Sequence, residues 1–495
     1  MIGLPLATSP LIYLAGRLGR ARVSQLRRPS LAYPVALAVL LVAWVPYVLA
    51  LRDFGSQGPL TLTLGAIVLR LDGLSLLLSG LALGLGTLVT VYSGPYMAGE
   101  TGDEKYFASL VIMVGAMIGL SCANDLFNLW VWFEMMAISS YLLVAFYHEQ
   151  PASLEAGVKY LVQSAAGSAM VLLGIALVLA QTGTLNLSEI AAAVSKTPAL
   201  LAAGALFVIG FGVKVAFVPL HTWLPDAHAQ APSGISAMLS GVVIEAGLVA
   251  LLRALAALAG VTHSWGILLL GFGVLNMLVG NLLALRQTQV KRLLAFSSLA
   301  HIGYMALGLG IAFYAGQLDG AQGGLFHMLT HGLMKGLAFL AAGALLYALH
   351  SAVGSHEPLT ISDLAGAARR YPLVALSLSV AVLGLGGLPP LAGFMSKWQI
   401  FVAGFATHNL VIDALVIFAA LNSVLSLAYY APLVNAMYRQ EPSATVQRGQ
   451  KLSVLMIAPL VLLALAVVAI GLWPDLLRWL SDPAGSALMA AFGAK

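Results

Sequence analysis

The chain has 495 residues, of which 60% are hydrophobic and only 9% charged. That balance excludes a soluble domain and sets the class as an all-α polytopic membrane protein. The net charge of +5 does not signal a nucleic-acid partner, because the basic residues are scattered through short loops between apolar stretches, where their role is topological. The single cysteine, Cys122, excludes an intrachain disulfide and leaves no CxxC pair for an iron–sulfur cluster or structural zinc, so redox chemistry coupled to this chain must reside elsewhere.

About fourteen stretches approach the ~20 apolar residues that cross a bilayer. They lie near 2–16, 32–51, 72–93, 107–123, 125–147, 157–181, 199–220, 233–258, 264–285, 290–313, 321–348, 372–402, 410–436 and 453–473. The first is short, but it has no basic leading region and its arginines follow the apolar run, so it reads as a span rather than a secretory signal. Between the second and third spans, LTLTLGAIVLRLDG (60–73) alternates Leu, Thr and Val and predicts a small external hairpin. No segment outside the spans is long enough to fold alone, and the tail after Pro474 is expected to lie at the outer interface.

Charge orients the spans. The loops at 17–31, 94–106, 148–159, 286–292, 349–371 and 437–452 carry Arg17, Arg20, Arg22, Arg27, Arg28, Lys105, Lys159, Arg286, Lys291, Arg292, Arg369, Arg370, Arg439, Arg448 and Lys451. The other side holds only Arg52, Arg70, Lys196, Arg253, Arg478 and Lys495. The positive-inside rule makes the first side cytoplasmic, in a cell inner (plasma) membrane, and places both termini outside.

Two spans are interrupted. The seventh runs into VPLHTWLPDAHAQAPSG, with Pro219, Pro225, Pro232 and Gly234, between Lys214 on one side and Glu245 on the other. The twelfth, VLGLGGLPPLAGFMSKWQIF (382–401), sets Gly386, Gly387, Pro389 and Pro390 before Lys397. Burying an ion in hydrocarbon costs at least ~2.5 kcal/mol even on insertion scales, so an intramembrane charge is by default functional. Broken helices beside such charges are typical of ion-transporter sites. Spans four to eight and nine to thirteen are expected to be inverted five-helix repeats, with spans seven and twelve as their broken members. The corresponding division is 1–106, 107–258, 259–436 and 437–495.

Other buried polar groups fall on the same axis. Glu134 is near the middle of span five. His327, His331 and Lys335 occupy span eleven at four-residue spacing, about 40° of net rotation per step, which makes a staggered ladder on one helix face. His301 lies early in span ten. Proton relays use such groups because burial and neighbouring charge can bring them to titrate near neutrality. Each has a plainer reading: a structural ion pair for Glu134 or Glu245 with Lys214, packing hydrogen bonds or a metal or haem pair for the two histidines, and satisfaction of freed backbone groups for His221, Asp226 and His228. No metal site is assigned, because the span adds no further cysteine or acidic ligand. There is no GxxxxGK[ST] phosphate loop, and the GLG at 84–86 lies inside an apolar span, outside the strand-turn-helix setting of a dinucleotide site. The chain therefore reads as carrying no cofactor and no catalytic residue of its own.

The segments GVKVAFVPLHTWLPDAHAQAPSGISAMLSG (212–241), QVKRLLAFSSLAHIGYM (289–305), HMLTHGLMKGLAFL (327–340) and GLPPLAGFMSKW (387–398) resemble the antiporter-like subunits of respiratory complex I, membrane-bound hydrogenases and Mrp-type sodium/proton antiporters. The resemblance implies fourteen helices, two inverted half-channels and a hydrated polar axis along the membrane plane. It also implies relay roles for Glu134, Lys214, His327, His331, Lys335 and Lys397. Relatives commonly carry lysine or histidine in span eight, where this chain has Glu245, a further candidate relay group. The implied function is proton translocation, with sodium as the other candidate cation, in a complex with other membrane subunits and a peripheral redox module. A structural subunit with an altered relay, or the proton-conducting part of an inorganic-carbon uptake system, are the alternatives.

Overall fold

The computed structural model describes residues 1–20, 30–65, 67–351 and 357–493. Arg22, Arg27, Arg28 and Lys495 lie outside the described residues. The first elements are α1 (Gly3–Arg20), α2 (Ala32–Gln57), the strands β1 (Leu60–Leu64) and β2 (Ile67–Leu71), α3 (Gly73–Tyr96), α4 (Asp103–Cys122), α5 (Leu126–Val144), α6 (Pro151–Thr182) and the short α7 (Leu187–Ala193). The middle of the chain forms α8 (Pro198–Val215), α9 (Trp223–Gln230), α10 (Ser233–Met238), a π-helical turn (Leu239–Val243), α11 (Ile244–Ala257), α12 (Trp265–Ala284), α13 (Val290–Ala315) and α14 (Leu318–Leu349). The last part contains α15 (Ala367–Arg370), α16 (Pro372–Gly386), α17 (Ala392–Phe405), α18 (Leu410–Arg439), α19 (Ala444–Arg448), α20 (Val454–Leu472) and α21 (Asp475–Ala491).

Among the described residues, twelve helices are long and apolar enough to cross a bilayer: α2 to α6, α8, the continuous run Ser233–Ala257, α12 to α14, α18 and α20. Their arrangement follows from what lipid tolerates. The run Ser233–Ala257 and α13 are wholly buried and α14 nearly so, whereas α2 and α18 expose most of their apolar surface. The helices that carry Glu245, His301, His327, His331 and Lys335 are thus the central ones, where protein rather than lipid surrounds the polar groups.

The alternating stretch at 60–73 is a hairpin, with Leu60 opposite Leu71 and Leu64 opposite Ile67. It delivers Asp72 to the N-cap of α3, where a carboxylate oxygen accepts the Ser75 amide at 2.9 Å. The same carboxylate receives both terminal nitrogens of Arg253 at 3.0 and 3.2 Å. Arg253 also reaches Ser75 and the Ser121 carbonyl, and so ties α3, α4 and α11 together. Its place among the topological charges is corrected here: it is 8% exposed and structural. The tail after Pro474 is also more than an interfacial segment. It forms α21, whose Leu480, Ala484, Gly485 and Leu488 are buried, and a β-carbon added at Gly73 would meet the Ala484 amide nitrogen at 2.6 Å.

Each helix break is closed by side chains. α8 ends in a left-handed Ala216 (φ 61°), and the Asn276 amide of α12 then accepts from the Val218 N–H at 2.9 Å and donates to the Ala216 carbonyl at 3.2 Å. Trp223 donates its indole N–H to the Val213 carbonyl at 2.7 Å. Pro219 lies in the break, but Pro225 falls in the first turn of α9, where a missing N–H costs no helical bond. The second break follows a left-handed Gly387 (φ 82°) and contains Pro389 and Pro390 before α17.

Removing Arg253 leaves the Asp72 carboxylate buried without its main partner, a change that costs about 3–5 kcal/mol in comparable sites. Arg253→Ala is therefore expected to lower the thermal denaturation temperature of the purified protein clearly, and Asp72→Asn combined with Arg253→Met to recover part of the loss. An unchanged denaturation temperature for Arg253→Ala would show that the pair ties nothing together.

Candidate functional site

Lys214, on the last turn of α8, is 1% exposed. Its ammonium donates to the Tyr160 hydroxyl at 2.8 Å and the Ser164 hydroxyl at 3.2 Å, both on α6. Aromatic faces close the rest of the shell, with Tyr160 4.4 Å, Phe133 5.6 Å and Trp223 5.9 Å from the nitrogen. Trp223 stacks on Tyr160 at 3.9 Å, so the residue that caps the broken helix also builds the wall of the lysine site. The expected ion pair with Glu134 is not formed. Glu134 is half-buried on α5 and its Oε1 has no hydrogen-bond partner. Two hydroxyls and the faces of three rings surround the ammonium instead.

Glu245 is fully buried and pairs with the ladder instead of with Lys214: its Oε1 lies 2.7 Å from His331 Nδ1. The π turn directly before it bears on this. A π turn adds one residue to the helix and rotates all that follows by about 100°. The rotated frame is held by a close backbone approach, since a β-carbon at Gly332 would meet the Gly241 carbonyl oxygen at 2.6 Å, and one at Gly241 would meet the Gly332 carbonyl oxygen at 2.9 Å. Ser240 adds a hydroxyl contact of 2.7 Å to Ser298 on α13.

The three ladder residues share α14 but not their partners. His301 of α13 packs between the two histidines, its ring 5.1 Å from that of His331 and 5.2 Å from that of His327. Its Nδ1 lies 3.0 Å from His327 Nε2, and His327 Nδ1 lies 2.8 Å from the Ser396 hydroxyl on α17. Both nitrogens of His327 are therefore engaged within the protein. Lys335 turns to α13, donating to the Leu294 carbonyl at 2.7 Å and to the Ser297 hydroxyl. Lys397, next in sequence to Ser396, donates to the Leu385 carbonyl and the Ser423 hydroxyl, both at 2.8 Å. That carbonyl is one that the break of α16 leaves free. The Tyr304 ring lies 4.5 Å from the Lys397 nitrogen and packs edge-on to His327 at 5.8 Å.

A run of polar side chains thus leads from Glu245 through His331, His301 and His327 to Ser396, and the Tyr304 ring packs against both His327 and Lys397. Its hydrogen-bonded segments meet where His331 packs on His301 through ring contact. Lys214 and Glu134 form a separate cluster on α5, α6 and α8. Tyr160, Ser164, Tyr304, Ser396 and Ser423 were missed as partners, because a hydroxyl in a span carries no sequence signal apart from its neighbours. Lys291, assigned to a topological loop, is 6% exposed in the first turn of α13 and donates to the Ala231 carbonyl. Asp226 pairs with Lys159 at 3.1 Å and Arg292 at 2.9 Å on the face that bears the basic loops, and His221 is half-buried beside the break.

Residues 123–426 match the family described as NADH:quinone oxidoreductase/Mrp antiporter, transmembrane. Residues 62–107 match the NADH-ubiquinone oxidoreductase (complex I) chain 5 N-terminus. The chain is 34% identical over 421 residues to F(420)H(2) dehydrogenase subunit N of Methanosarcina mazei, covering 83% of each chain. It is 34% identical over 449 residues to NADH-quinone oxidoreductase subunit N of Bdellovibrio bacteriovorus, covering 88% of each. Among solved structures, a chain of the membrane-bound sulfane sulfur reductase, an archaeal respiratory membrane complex, superimposes with a TM-score of 0.88 at 29% identity over 100% of this chain and 98% of that one.

The backbone approach that positions Glu245 gives a packing prediction. Gly332→Ala forces α14 away from the π turn and is expected to cost about 1–3 kcal/mol, as overpacking does elsewhere. Gly84→Ala, whose nearest neighbour would be 4.0 Å away, is expected to be near neutral. Thermal denaturation of the two variants side by side checks this, and equal effects would refute it.

Proposed function

We propose, from the premise that this chain belongs to the NADH:quinone oxidoreductase/Mrp antiporter transmembrane family, that it moves protons through the buried polar run between Glu245 and Lys397. The chain is an antiporter-like membrane subunit of a multi-subunit complex of the complex I, membrane hydrogenase or Mrp type. Its relatives are named as subunits of quinone- and F(420)H(2)-linked oxidoreductases, which favours this reading over a purely structural subunit or an inorganic-carbon system. The driving redox chemistry then belongs to a peripheral module carried by other subunits.

The observation that carries the proposal is the run itself: Glu245 and His331 at 2.7 Å, His301 and His327 at 3.0 Å, His327 and Ser396 at 2.8 Å, with every one of these side chains buried. An imidazole accepts a proton on one nitrogen and releases one from the other, so the three histidines His331, His301 and His327 between a carboxylate and a lysine form a two-way path. Lys397 sits at its end, held by the Leu385 carbonyl that the broken helix frees, a natural point for release. The other cluster supplies a switch. The Lys214 ammonium rests on two hydroxyls and three rings, and motion toward Glu134 would bring it to a carboxylate oxygen that has no partner in the resting arrangement.

The topology fits the same reading. The twelve long apolar helices, with α1 and the broken α16–α17 added, make fourteen crossings. Spans four to eight and nine to thirteen are the two inverted repeats, at 107–258 and 259–436, with 1–106 before them and 437–495 after. The face bearing the basic loops is cytoplasmic and both termini are outside. The carried cation is the proton, with sodium as the alternative that ion-replacement measurements would separate.

Glu134→Gln is expected to lower proton translocation about tenfold or more, within the range that a single proton-transferring side chain supplies, while the complex still copurifies. Dye quenching in inverted membrane vesicles reads this, and full pumping by the variant would remove Glu134 from the mechanism. Lys397→Ala is expected to impair coupled transport by a similar factor, whereas Arg448→Ala, which loses the same charge from α19 at the basic face, leaves it within about twofold. Normal transport in the Lys397 variant would favour the structural-subunit reading.

A further inference from the structure

The end of the bundle away from the basic loops holds a cavity that the polar run does not touch. Its volume is about 480 Å³, within the roughly 300–1,000 Å³ of small-molecule sites. It is enclosed by β2, the start of α3, α7 and the ends of α11 and α21.

Two arginines line this cavity, and they are committed unequally. Arg253 gives both terminal nitrogens to Asp72, yet its Nε has no hydrogen-bond partner although the residue is only 8% exposed. Arg70, on β2, makes no ion pair and no side-chain hydrogen bond among the described residues. Asp72 is the one acidic side chain among the described residues that line the cavity, and it already serves Arg253 and the Ser75 amide. The cavity therefore has an excess positive charge and a buried guanidinium N–H that lacks an acceptor, which is the chemistry that recognises a phosphate oxygen.

The rest of the wall is mostly apolar and built of small side chains. Leu74, Ala256 and Ala257 are buried at its floor, and Ala487, Ala490 and Ala491 of α21 form its side. A hydrated inorganic anion leaves those methyl groups in contact with water, whereas an alkyl chain covers them. The depth also fits. Trp473 and Trp479, 65% and 54% exposed, stand at the same end of the bundle, where indole rings mark the level of lipid headgroups.

We propose that this cavity binds an anionic phospholipid from the leaflet opposite the basic face, with its phosphate on Arg70 and Arg253 and one acyl chain along the alanines of α21. A zwitterionic lipid is disfavoured, because its ammonium meets the uncompensated Arg70 and finds the Asp72 carboxylate already taken. A lipid held there connects the hairpin to α11 and α21. The inference is independent of the relay reading.

The test uses the purified whole complex in detergent and phosphatidylglycerol that carries a diazirine on one acyl chain. After irradiation, peptide mass spectrometry is expected to find the label on residues 253–258 or 484–491, and unlabelled phosphatidylglycerol is expected to compete at about one-tenth the concentration that phosphatidylcholine needs. Arg70→Glu is expected to lower labelling about tenfold or more, the effect of losing one charge-assisted hydrogen bond, and Arg70→Lys to keep more of it than Arg70→Glu does. Should Arg70→Glu fail to assemble, Ala490→Trp carries the test, since Ala490 is exposed at the mouth and its replacement blocks the acyl chain while leaving both arginines; it is expected to abolish labelling. Absence of label from both segments shows the cavity to be empty or filled by a partner subunit and overturns the proposal. Equal competition by phosphatidylcholine overturns the anionic headgroup, and displacement by inorganic phosphate as readily as by phosphatidylglycerol overturns the lipid.

Discussion

Hydrocarbon offers no hydrogen bonds, so every polar group at membrane depth must find its partner inside the protein. The architecture depends on that constraint. The helices that carry Glu245, His301, His327, His331 and Lys335 are central, whereas α2 and α18 are among the most exposed. Where a helix is interrupted, the backbone groups set free are recaptured by a neighbour: Asn276 and Trp223 close the break after α8, and Lys397 and Ser423 occupy carbonyls at the end of α16. Structural closure and candidate chemistry are therefore performed partly by the same side chains.

The two breaks solve this in different ways. At the first, the lysine lies on the intact helix and is surrounded by ring faces and hydroxyls, while an amide from another helix closes the backbone. At the second, the lysine follows the break and itself donates to a freed carbonyl. The two broken helices thus present two lysines with unlike shells.

Glu245 itself lies among closely packed backbones. The π turn, the mutual approach of Gly241 and Gly332, and the Ser240–Ser298 contact all lie within two turns of it. A carboxylate paired with His331 at that point can hold or pass a proton without an additional charge, because the imidazole and the carboxylate exchange it between them.

Membrane class, the approximate span positions, the hairpin at 60–73, both interruptions and the set of buried charges were legible in the sequence, because each depends on local composition or on a short periodicity. Periodicity also placed His327, His331 and Lys335 on one side of α14. Which groups meet was decided only by tertiary structure. Lys214 goes to Tyr160 and Ser164 rather than to Glu134, Glu245 goes to His331, Lys335 turns to α13, and Arg253 and Lys291 are buried rather than left in loops. The physical reason is that a helix face is set by residue spacing, whereas a partner is set by helix rotation and by how closely two backbones approach. A single π turn rotates Glu245 by about 100°, and glycine contacts between helices distant in sequence then hold it there.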